Sequence, residues 1–118
     1  MGTRSAIAVR NPDATYDIVY CHYDGYPEHQ MAILTTSYDT AKKARKMIAP
    51  GSMSTLSATT DWNGNVMEVG PRYYIDRGDL DCQPRRLTAG EMARFAFNMG
   101  CEYLYTYVPR WGWRYDKL

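Results

Sequence analysis

The sequence predicts an α+β domain: a mainly antiparallel sheet, built from an N-terminal and a C-terminal hairpin, with about three helices packed on one face. Three observations carry this expectation. Period-2 alternation with turn residues stands at both ends of the chain, and helical spacing with start and stop signals lies between. No strand-helix-strand spacing forces an all-parallel sheet. At 118 residues, 45% of them hydrophobic, the chain reads as a single domain, 1–118.

The elements follow in order. In SAIAVRN, Ser5, Ile7 and Val9 alternate with Ala6, Ala8 and Arg10; NPDAT supplies turn chemistry, and YDIVYCHY resumes with β-branched and aromatic residues. This is the first hairpin. Pro27 fits the first turn of a helix, Glu28 suits its N-terminal dipole, and Met31 and Leu34 share a face. A second helix is expected from Asp39 through TAKKARKMI, with Ala44, Met47 and Ile48 inward, the basic residues largely outward, and Pro50 and Gly51 ending it. From Gly51 to Arg72 the signal fades into a long loop with a turn at WNGN, and RYYIDRG reads as a short strand. TAGE, Thr88 to Glu91, is a capping box opening a third helix with Met92, Phe95, Ala96 and Met99 on one face, and Gly100 is placed to end it. The last 18 residues read as two strands about a PRWG turn.

Composition excludes several function classes. Fourteen basic and thirteen acidic side chains leave a net charge of +1, so no global field draws the protein to nucleic acid or to an anionic membrane. Three cysteines, without CxxC pairs, fit neither a disulfide framework nor a four-ligand zinc site. No apolar run is long enough for a signal peptide or a membrane span, so a cytoplasmic protein with no membrane partner is expected.

The chemistry-bearing residues crowd into YCHYDGYPEH. In an extended strand Cys21 and His22 point to opposite sides, so a thiol nucleophile lacks its base there, and Cys21 is expected in the core. Gly25 is expected in a conformation closed to other residues, with Tyr26 and Pro27 fixing the helix entry. His22, Asp24, Tyr26 and His29 are left as a candidate functional cluster. A small metal-dependent hydrolase at His22, Asp24 and His29 is the third of three readings. No metal, cofactor or catalytic residue is assigned.

A second surface lies at the C-terminus. Tyr103, Tyr105 and Tyr107 share one parity, and Trp111, Trp113 and Tyr115 share one on the returning strand. With Arg110 and Arg114 beside them, these aromatics could stack bases, which makes a single-stranded nucleic-acid or nucleotide binder the second reading. One face of the sheet must pack on helices, and the reading of the tyrosine face as core is preferred to that of a binding platform. Trp111, Trp113, Arg110, Arg114 and Tyr105 are the residues expected to bind a partner.

MGTRSAIAV at the start, YCHYDGYPEHQ, DRG at Asp76 to Gly78 and EYLYTY near the end together resemble a family of small uncharacterised proteins of bacteriophages and bacterial genomes. The resemblance implies an intracellular phage-type product, acting in the host cytoplasm, and carries over no catalytic residue. It leads to the first reading: non-catalytic binding of a host macromolecule, a host protein or protein complex first and nucleic acid second, as in host takeover or inhibition of defence.

Overall fold

A computed structural model describes residues 3–60 and 62–118, with the side chains of 58–60 and 66–69 left outside the description. The strands are β1 (Ser5–Arg10), β2 (Tyr16–Cys21), β3 (Met53–Thr60), β4 (Val66–Tyr73), β5 (Arg85–Leu87), β6 (Tyr103–Val108) and β7 (Gly112–Lys117). The helices are α1 (Pro27–Ser37), α2 (Ala41–Ile48) and α3 (Ala89–Asn98). One mostly antiparallel sheet runs β4-β3-β2-β1-β6-β7, with β5 on the free part of β2's outer edge. The two terminal hairpins are joined side by side through a parallel pairing of β1 with β6, from Ser5↔Tyr103 to Val9↔Tyr107. The α+β class, the terminal hairpins and the three helices are those the sequence predicts.

The helices, however, divide between the two faces. Leu34 of α1 and Ala44, Met47 and Ile48 of α2 pack on Ile7, Val9, Val19, Cys21, Tyr105 and Tyr107. Met92 and Ala96 of α3 pack on the opposite face, against Ala6, Ala8, Ile18, Tyr20 and Leu104. The reason is visible in β1 and β2, where almost every residue is buried. A strand apolar on both sides needs cover on both. Full burial of a Leu, Ile or Met contributes about 1.5–3 kcal/mol, so these few contacts anchor each layer.

Local signals are realised closely at the helix ends. Pro27 stands at the start of α1, Thr40 caps α2 by accepting from the Lys43 amide, and Thr88 and Glu91 form both bonds of a capping box. Gly100 follows α3 with φ of 74°. Arg45 departs from its outward neighbours: its guanidinium donates to Asn11 Oδ1 and to the Arg10 carbonyl, pinning α2 to the first turn.

Three expectations are corrected. Residues 51–72 are not a long loop: β3 and β4 form an antiparallel hairpin around the WNGN turn, with register shifts between its pairs, and Asp61 lies outside the described residues. The serines and threonines that blurred its signal are compatible with a strand, and Met53, Ser54 and Leu56 are buried. RYYIDRG only finishes β4, then turns through a 3-10 segment, Tyr74–Arg77, that ends at Gly78. Gly25 is needed for a different reason than expected. Asp24 carries the left-handed conformation, with φ of 59°. At Gly25 a β-carbon would lie 2.5 Å from Ser5 Oγ and 2.8 Å from the Thr3 carbonyl, so close approach excludes a side chain.

Candidate functional site

The junction residues do not assemble. Cys21 is fully buried, and burial pushes its thiol up to about 11. His22 lies on the opposite side of the strand, where its Nδ1 bonds the Tyr20 hydroxyl at 2.6 Å. Burial raises Tyr20 to about 12, so its phenol stays protonated. Asp24 is exposed. His29 sits against Tyr26, with ring centroids 5.7 Å apart and a buried Nε2 that has no partner among the described residues. Among the described residues no three His, Cys, Asp or Glu side chains come together as metal ligands.

His22 does open onto a cavity that the sequence did not disclose, about 510 Å³ in volume, walled by Tyr23, Trp62, Tyr74, Arg77 and Cys82 among others. Its groups largely satisfy one another. Arg77 forks onto Asp79 and also lies 4.9 Å from the Trp62 ring centroid, while Trp62 stacks on Tyr74. The Cys82 thiol points at the Asp79 carbonyl, 3.7 Å away, and makes no hydrogen bond to His22. The Arg77-Gly78-Asp79 run is therefore a turn closed by its own ion pair.

The C-terminal hairpin is built differently. β6 and β7 pair from Tyr103↔Lys117 to Val108↔Gly112, and Pro109, Arg110 and Trp111 form the tip. Arg110 has φ of 76° and Gly112 of 84°, left-handed residues of the kind that tighten such a turn. Tyr105, expected in a contact surface, is 0% exposed. Its hydroxyl donates to the Gly25 carbonyl at 2.5 Å, so it ties β6 to the strand-to-helix junction instead. The tyrosine face is core because α1 and α2 cover that side of the sheet. Trp113 is half-buried on the same side: its Nε1 donates to the Tyr38 carbonyl at 2.8 Å, and its ring meets Tyr107 edge-on at 5.3 Å.

Trp111 is the exception. It is 85% exposed, and among the described residues no ring or cation rests on it. On the α3 side of the tip a cavity of about 380 Å³ is lined by Arg10, Tyr16, Val108, Trp111 and Arg114 among others. Among the described residues, Arg10 and Arg114 are its only charged lining. The sequence places Arg110, Trp111 and Arg114 together, but Arg10 and Tyr16 join them only through the parallel β1–β6 pairing, which no local pattern announces.

The chain matches no protein-family model, no curated protein and no solved structure, so its function is read from these side chains.

Proposed function

We propose that the protein acts without turnover, as a recognition module that sets the tip of its C-terminal hairpin against a host macromolecule, in the manner of a phage-encoded inhibitor. The carrying observation is the exposed Trp111 flanked by Arg10, Arg110 and Arg114. None of these three arginines has an ion-pair or hydrogen-bond partner for its side chain among the described residues, whereas Arg45, Arg77 and Arg86 are all paired with aspartates. Trp and Arg are the residue types that dominate binding hot spots, and unneutralised guanidinium selects an anionic contact. Half-buried Trp113 holds the tip to α1, so the contact group is presented on a fixed base.

The test is capture from a bacterial lysate on the immobilised chain, comparing wild type with Trp111→Ala and with Arg110→Glu/Arg114→Glu. A macromolecule retained by wild type and lost from both folded variants supports the reading. Equal retention by all three overturns it.

A further inference from the structure

We infer that the cavity beneath the hairpin tip takes a nucleotide, with its phosphate held by Arg10 and Arg114 and its base on Trp111. This rests on the hairpin being the contact surface and gives that surface a ligand class.

Geometry brings the two arginines together. Ala8 pairs with Thr106 and Thr106 with Arg114, while Val9 pairs with Tyr107, which sets Arg10 beside Val108. Arg10 and Arg114 thus flank β6 on the face away from α1 and α2, at the end of the sheet. Asp116 shares that face of β7 but forms no ion pair with Arg114 among the described residues, and no carboxylate lines the cavity. Two guanidinium groups without an acid match a phosphate, whose oxygens accept their N–H fork.

The indole supplies the second half. Trp62 is already covered by Tyr74, Arg72 and Arg77, and Trp113 is engaged by Tyr107; Trp111 alone of the three tryptophans offers an unoccupied ring among the described residues. An acidic peptide would answer the arginines and leave this ring bare, and an apolar ligand would strand the two charges. A nucleotide answers both, by the stacking and charge that hold single strands without reading sequence. The cavity, about 380 Å³, lies at the small end of ligand sites, suited to one nucleotide at a time. Its source is either a free nucleotide or a unit of a single strand.

The experiment is fluorescence anisotropy of a labelled ten-residue oligothymidylate and, in parallel, of fluorescently labelled AMP, each with the purified full chain at low and moderate salt. Unlabelled AMP and a poly-glutamate peptide serve as competitors, and circular dichroism checks each variant's fold. Expected are binding of the oligonucleotide, no competition from poly-glutamate at equal charge, and weakening of roughly 5- to 100-fold in Trp111→Ala. Arg114→Gln should weaken binding and reduce the salt slope by about one. Competition by AMP at comparable concentration assigns a free nucleotide; its failure assigns a strand. If neither oligonucleotide nor AMP binds, if Trp111→Ala binds as well as wild type, or if poly-glutamate competes equally, the nucleotide assignment is overturned. The hairpin reading would survive those results, because it fails only when lysate capture is indifferent to the tip.

Discussion

At the junction between β2 and α1, reactive side chains are consumed by the fold: Cys21 is buried, the Gly25 carbonyl receives Tyr105, and His22 is held by Tyr20. At the tip of the β6–β7 hairpin, by contrast, the side chains of Trp111 and its neighbouring arginines answer to nothing among the described residues. The first region is denser in catalytic residue types, yet apart from a buried His29 Nε2 it is internally bonded, and the second is the one that exposes its unpaired groups to solvent. A side chain's type states what it can do; only its partners show whether it is free to do it.

The sharpest break of this comparison is at Gly25. A valine there must push against Ser5 and the Thr3 carbonyl, so Gly25→Val should cost on the order of 3 kcal/mol in denaturant unfolding, from overlap rather than from φ. A variant as stable as wild type would show that the junction is not tightly built. Next is Trp113, which the sequence places among the partner-binding residues. Its hydrogen bond to Tyr38 and its packing on Tyr107 predict a loss of about 2 kcal/mol for Trp113→Ala, measured the same way.

The junction also sets an alkaline limit. Cys21 is raised from 9.0 to about 11 and Tyr20 from 10.0 to about 12, each chiefly by burial, so both fold best in their neutral forms. That contribution is complete below pH 9 and fades as the unfolded thiol, then the unfolded phenol, ionises on the way to pH 11–12. The loss should reach on the order of 2 kcal/mol by pH 11, and Cys21→Ala should flatten the curve. A stability unchanged between pH 8 and 11 would contradict a buried, neutral Cys21. The smallest effect belongs to the tip. Arg110→Gly relieves a left-handed non-glycine residue and should raise stability by less than about 1 kcal/mol while weakening binding.

Much of this fold is legible in the sequence, and the limits of that legibility are physical. Capping signals act within one turn of chain, so Thr88 and Gly100 could be placed by inspection, while the α2 cap falls at Thr40, one residue past the expected start at Asp39; parity alone aligned Tyr103, Tyr105 and Tyr107. Parity cannot say which face a helix will cover, so Tyr105 was assigned to a surface when it belongs to the core. The β3–β4 hairpin escaped notice because its serines and threonines carry little hydrophobic alternation. Arg10 could not be seen as part of the site: it reaches Arg114 only through a pairing between strands almost a hundred residues apart in the chain.

The central claim is that the tip makes contacts and not structure, and one paired measurement on Trp111→Ala tests it: unfolding free energy and retention of the captured partner, on the same preparation. The account predicts stability within about 0.5 kcal/mol of wild type together with retention reduced tenfold or more. A variant that unfolds, or one that folds and holds its partner at full strength, would contradict it.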